Sequence, residues 1–127
     1  MIDHMSLPVA DLARSRAFYA AALKPLGISL VMEVTAAETG DKAHLGFGTG
    51  KPVLWLTDGS TPASGVHVAL TADNRAAVDA FHAAALGAGG RDNGAPGLRP
   101  YYHPNYYAAF VYDPDGNNIE AVCHTPH

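Results

Sequence analysis

Three ionisable side chains stand in stretches that otherwise have the look of buried strands. They are His4 in 2-IDHMSLPVA-10, His67 in 65-GVHVALTA-72 and Glu120 in 117-NNIEAV-122. A carboxylate removed from water on its own costs about several kcal/mol or takes up a proton. A metal cation beside it removes that penalty. Residues two apart in a strand share a face. Asn118, Glu120 and Val122 therefore point one way, and Ile119, Ala121 and Cys123 the other, toward helices. His4 shares a face with Ser6, and His67 with Ala69 and Thr71. Met5, Leu7 and Val9, and again Val66, Val68 and Leu70, make the apolar faces opposite. Each of the three ionisable residues thus lies on the less apolar side of its strand. Taken singly, a strand histidine is more often a hydrogen-bonded structural residue, and a glutamate late in an edge strand is often only solvated.

A second concentration of chemistry lies in 94-GAPGLRPYYHPNYY-107, which carries Arg99, His103, Tyr101, Tyr102, Tyr106 and Tyr107. Aromatic and polar groups in a loop punctuated by Pro and Gly suit a lid or a substrate wall. They equally suit a subunit interface. His103 is a candidate general acid or base, histidine being the side-chain type that exchanges protons near neutrality. Arg99 can pair with a substrate carboxylate or phosphate, or serve as a plain surface charge.

What positions these groups is a chain written twice. An offset of 63 carries His4 onto His67, Leu7 onto Leu70, Asp11 onto Asn74, Phe18 onto Phe81, Leu23 onto Leu86 and Gly27 onto Gly90. Asp11 and Asn74 are both helix N-cap types. Ser15, Phe18, Tyr19, Ala22 and Leu23 then have the spacing of an apolar helix stripe, repeated by Val78, Phe81, His82, Ala85 and Leu86. The glycines stop the helices or follow their stops. Strands are predicted over 28–34, 43–48 and 53–57 in the first half. In the second they fall near Gly90–Asp92, at 107–112 and at 117–122, the last two around the turn 113-DPDG-116. Each half is β-α-β-β-β. The fold class is α+β, one domain over residues 1–127, with modules at about 1–57 and 65–123 and a linker over 58–64. His44 falls in a strand without a repeat partner.

The 127 residues carry a net charge of −4 and no basic run, which argues against nucleic acid and anionic membrane surfaces as partners. The one cysteine, Cys123, cannot form an internal disulfide. The N-terminal stretch lacks a basic region followed by an apolar run, so neither a signal peptide nor a membrane span is expected, and the expected location is cytoplasmic.

Two βαβββ modules in tandem, with 3-DHMSLPVADLARSRAFY-19, 65-GVHVALTADNRAAVDAFH-82 and above all 109-AFVYDPDGNNIEAV-122, resemble the vicinal oxygen chelate superfamily. That group includes glyoxalase I, extradiol dioxygenases and bleomycin-resistance proteins. The resemblance covers nearly the whole chain. It implies a curved, cup-shaped sheet with helices outside, a metal at its centre, and a homodimer. It also implies that His4, His67 and Glu120 are the metal ligands. Two imidazoles and a carboxylate form the facial triad that suits Fe(II), and they can also hold Zn(II) with water. Fe, Zn, Ni and Mn are the expected metals. The terminal hairpins match at an offset of 65, which puts Trp55 at the place of Glu120. Glyoxalase I normally has a second glutamate there. Trp55 cannot ligate, and it is expected to wall the cup and stack on substrate. The activity implied is a glyoxalase-like lyase or isomerase acting on a small oxygenated substrate, with Glu120 and His103 catalytic. Trp55, Arg99, Tyr101, Tyr102 and Tyr106 would contact the substrate. The alternatives are an Fe(II) ring-cleaving dioxygenase and a metal-free sequestering protein of the bleomycin-resistance type.

Overall fold

Each half of the chain supplies one sheet. The computed structural model describes residues 1–59 and 61–126; Ser60 of the expected linker and His127 of the tail lie outside the described residues. The first half contains β1 (Met5–Val9), α1 (Leu12–Leu23), β2 (Ser29–Val34), a one-turn helix α2 (Ala36–Thr39), β3 (His44–Gly48) and β4 (Pro52–Asp58). The second contains β5 (His67–Thr71), α3 (Arg75–Gly87), β6 (Arg91–Leu98), β7 (Tyr107–Tyr112) and β8 (Asn118–Cys123). The strand orders are β1-β4-β3-β2 and β5-β8-β7-β6. In each sheet the first strand runs parallel to the last, and the other pairings are antiparallel. The protein is α+β, with two mixed, open four-stranded sheets. No helix among the described residues is long and apolar enough to cross a membrane.

The strand pairing repeats in register. Met5 lies beside Leu54 and Ser6 beside Trp55; Val68 lies beside Ile119 and Ala69 beside Glu120. The offsets of 63 for the first strand and 65 for the last carry one set of pairs onto the other. The helices start where their caps predict. Asp11 accepts from the Arg14 amide at 3.1 Å, and Asn74 from the Ala77 amide at 2.8 Å. The stripe of α1, from Ser15 to Leu23, is wholly buried. On α3, Val78, Phe81 and Ala85 are buried. Leu86, the counterpart of the buried Leu23, is 38% exposed. His82 instead reaches Asp92, with Nε2 and Oδ1 3.0 Å apart. Gly27, at φ 75°, closes the 3-10 turn Lys24–Leu26 in the left-handed conformation that glycine adopts without strain.

One difference from expectation concerns β6. It runs to Leu98 rather than stopping near Asp92, with bulges around Gly94 and Gly97. Pro96 is tolerated because β6 is an edge strand, where a missing donor can face outward. The loop before β7 is therefore only 99–106.

The two halves are joined through the turn between β7 and β8. Asp113 is 3% exposed, and both of its oxygens are occupied. Oδ2 accepts from Tyr19 Oη at 2.5 Å and from Asn117 Nδ2 at 3.0 Å. Oδ1 accepts from the amides of Asp115 and Asn117, each at 2.9 Å. Asn117 Nδ2 also donates to Ala63 O at 2.9 Å. The DPDGN turn is thus a buried polar joint between the second sheet and α1. Burial, and then the neighbouring Asp113 carboxylate, push the Tyr19 phenol well above its ordinary value of 10.0. The folded state holds that proton more tightly than the unfolded chain. The resulting stability is complete below pH 10 and declines above it, by up to about 1.4 kcal/mol per pH unit. Urea titrations of the parent should show stability falling from about pH 10 upward. Tyr19→Phe should be the less stable protein at pH 8 and the less steeply pH-dependent one above 10. Equal slopes would remove Tyr19 from this account.

Candidate metal centre

Strand β8 lies inside its sheet, between β5 and β7. Alternation sends Ile119, Ala121 and Cys123 into the core and Glu120 to the opposite, open face. Glu120 is nevertheless only 1% exposed, because neighbouring side chains cover it. His67, the first residue of β5, places Nε2 2.8 Å from Glu120 Oε1. Tyr106 donates its hydroxyl to Oε2. Phe110 stands opposite Glu120 on β7, and its ring is centred 6.2 Å from that of His67. Both carboxylate oxygens have a donor, as burial of such a group requires. Burial first, and then the bond to Glu120 and its charge, push the Tyr106 phenol above its ordinary range. Tyr106 therefore keeps its proton on the side of the carboxylate. His67 itself is half exposed at the open face, so this pair can be approached from outside.

The first sheet presents the matching position. His4 precedes β1, and its Nδ1 lies 2.7 Å from Asp3 Oδ1. Lys51, from the turn between β3 and β4, donates to the other oxygen of Asp3. The His4 bond, followed by Lys51, holds the Asp3 carboxyl below the ordinary carboxylate range. These residues border a cavity of about 490 Å³ whose lining includes Ser6, Met32, His44 and Trp55. His44 Nδ1 is 3.0 Å from Thr57 Oγ1, a structural contact across the sheet. Trp55 occupies the place of Glu120 and stands beside Gly46, its register partner on β3. A Cβ built on Gly46 would meet two indole carbons at 3.0 Å and Pro52 Cβ at 2.8 Å. The strand leaves room for the indole by having no side chain there.

Of the expected ligands, His67 and Glu120 are together, while His4 is in the half-site of the other sheet. Among the described residues, no three His, Cys, Asp or Glu side chains converge on a point that could hold an ion. Of the loop residues, only Tyr106 touches Glu120 directly by a hydrogen bond. Tyr101 and Tyr102 are 74% and 60% exposed; the Tyr101 ring is centred 4.7 Å from that of Tyr102, and the Tyr102 ring 4.8 Å from that of Tyr106, both pairs tilted. His103 Nε2 is 2.7 Å from His124 Nδ1, and its ring meets that of Tyr106 edge-on at 5.4 Å. Arg99 donates to the carbonyls of Gly97 at 2.8 Å and Ala95 at 2.9 Å, and its guanidinium lies over Phe110. Sequence reasoning missed Asp3 and Lys51. The first is visible as the residue before His4; the second is 48 positions away and gave no local signal.

The family model described as the Glyoxalase/Bleomycin resistance protein/Dioxygenase superfamily matches residues 1–121. The chain belongs to this superfamily. A solved superfamily member, a glyoxalase/bleomycin resistance protein from Albidiferax ferrireducens T118, is 28% identical with a TM-score of 0.76, over 97% of this chain and 98% of that one. A glyoxalase I mutant from Zea mays is 21% identical with a TM-score of 0.72, over 95% of this chain and 44% of the maize protein. A mutant of the fosfomycin resistance protein FosX from Listeria monocytogenes, solved with Mn(II) and a dihydroxypropylphosphonic acid, is 16% identical with a TM-score of 0.70, over 98% and 90% of the two chains. The last two are below the identity at which more than the superfamily fold is shared. No curated protein matches the chain.

Proposed function

We propose that this protein is a metal-dependent, glyoxalase-like enzyme whose divalent metal is shared by two copies of the chain. His67 and Glu120 of one copy and His4 of the other would supply the ligands. The observation that carries this reading is the His67–Glu120 pair, 2.8 Å apart on the open face of a sheet, with a buried carboxylate at its base. An imidazole and a buried carboxylate suit a dication, and the third donor lies at the repeat-equivalent position of the other sheet. A two-fold dimer, pairing the first sheet of each copy with the second sheet of its partner, would complete two such sites. The FosX structure solved with Mn(II) lends support as a similar fold that holds a divalent metal.

A metal bound there would act as a Lewis acid on the oxygens of a small chelating substrate. Glu120 is then the carboxylate placed to accept a substrate proton, because position 55 offers an indole instead of a second acid. Tyr106 steadies Glu120 by donating to Oε2. Trp55, Tyr101 and Tyr102 would wall the substrate, and Arg99 would meet an anionic end of it with the donors that the β6 carbonyls leave over. For His103 to act as an acid or base, His124 would have to release its Nε2. The competing reading is a ligand-sequestering protein. It is favoured by the Trp55-lined cavity and predicts no metal dependence.

Complementation tests the shared site. Purified without a tag, His4→Ala and His67→Ala should each lose metal. Unfolded, mixed and refolded together, they form mixed dimers that regain one intact site. About a quarter of the parent's metal should return, since half of randomly formed dimers are mixed and each has one good site of two. No recovery, with dimers formed, would mean that each site is built within a single chain or does not exist.

A further inference from the structure

His4 and His67 occupy equivalent positions, but their imidazoles are held differently. His67 turns Nε2 toward Glu120 at 2.8 Å. His4 has its Nδ1 engaged by Asp3 at 2.7 Å, and this leaves its Nε2 free for another partner. The residue equivalent to Asp3 in the second half is Val66, so only the first half has this carboxylate. Asp3 is in turn tied by Lys51, which comes from the far turn of the same sheet. We propose that Asp3, clamped by Lys51, is a positioning residue that keeps the His4 proton on Nδ1 and presents Nε2 to the cup as a ligand. This rests on the shared metal centre proposed above.

The physical argument has three steps. A neutral imidazole carries one N–H, and a hydrogen bond at one nitrogen sets which nitrogen is left as the acceptor. A carboxylate accepting from Nδ1–H selects the tautomer whose Nε2 lone pair can bind a metal. A contact between neighbouring exposed residues would ordinarily be one of many side-chain arrangements, because solvent competes for both partners. Lys51 alters that by anchoring the other oxygen of Asp3 from a separate element. The three residues border the same cavity as Trp55, the counterpart of Glu120. His4 and its carboxylate thus face the space where the ligands of the other copy must enter. The second half has no such carboxylate, since Val66 stands at that place.

The test uses metal-free protein and then Co(II) alone. In the parent, ¹⁵N NMR of the side chains at a pH where His4 is neutral should show the Nδ1–H tautomer. Asp3→Ala should shift His4 toward Nε2–H and weaken Co(II) binding, read from its visible absorption, by about tenfold or more. Asp3→Asn retains an acceptor oxygen and should recover most of both effects. Asp3 is exposed and buries no apolar surface, so the variants should fold as the parent does. If Asp3→Ala keeps the parent's tautomer or its Co(II) affinity, the proposal is overturned. His4→Ala separates the two levels. If it leaves Co(II) affinity unchanged, the shared centre fails and this role fails with it. If it abolishes binding while Asp3→Ala does not weaken it, only the role of Asp3 is lost.

Discussion

His67→Ala should abolish binding at the proposed metal centre while leaving the fold standing. His67 is half exposed, so shortening it opens no cavity in the core. Its loss leaves one oxygen of the buried Glu120 without a donor, which costs the metal-free protein about 1–3 kcal/mol, less what water entering the vacated space restores. For the metal the loss is far larger. Changing outer-shell partners costs roughly 10- to 100-fold in affinity, and removing a direct ligand from a three-ligand shell should exceed 100-fold. Metal content by elemental analysis, set beside urea unfolding of the apo forms, separates the two effects. Glu120→Gln is the companion variant. It preserves shape and one acceptor while removing the charge, and it should also lose metal. If both variants retain metal as the parent does, the pair is not a ligand set. Its buried carboxylate would then be explained by His67 and Tyr106 alone.

The second large effect is on folding. Asp113→Ala removes the acceptor of two side-chain and two backbone donors at once, in a site shielded from water. Leaving a buried donor unsatisfied costs about 1–3 kcal/mol. Tyr19 and Asn117 are fully buried, and Asn117 must remain in place to donate to Ala63 O. A loss of about 3–4 kcal/mol is expected after partial relaxation, against a total stability of about 5–15 kcal/mol for a domain. Asp113→Asn keeps the accepting oxygen on one side and should cost less. Denaturant melts that place Asp113→Ala within about 1 kcal/mol of the parent would show that water reaches this joint.

These two residues also show what the sequence makes legible. The repeat, the helix caps and the strand faces could be read because each depends on spacing along the chain. Asp11, Asn74 and the alternation around Glu120 all behave as that spacing demands. The DPDGN turn was readable as a turn and as a family mark. Its role as a joint was not, because the Tyr19–Asp113 bond spans 94 positions. The extension of β6 was hidden for another reason. Gly94, Pro96 and Gly97 argue locally for a loop, and only pairing with β7 on one side lets them be strand. The contact of Tyr106 with Glu120 follows from how the shortened loop closes, which no periodicity encodes. The separation of His4 from its expected partners is likewise a property of how the two sheets are arranged.

The indole beside Gly46 has a consequence for how this lineage can change. A mutation of Trp55 to glutamate, the residue that would restore a second acid, leaves an empty trench above a bare stretch of backbone. A mutation of Gly46 to any larger residue, made first, drives a methyl into the ring at 3.0 Å. Filling Gly46 also meets Pro52 Cβ at 2.8 Å, a contact that replacing Trp55 does not relieve. Gly46 is in this sense a position with little freedom of its own, held bare by a proline on one side and an indole on the other.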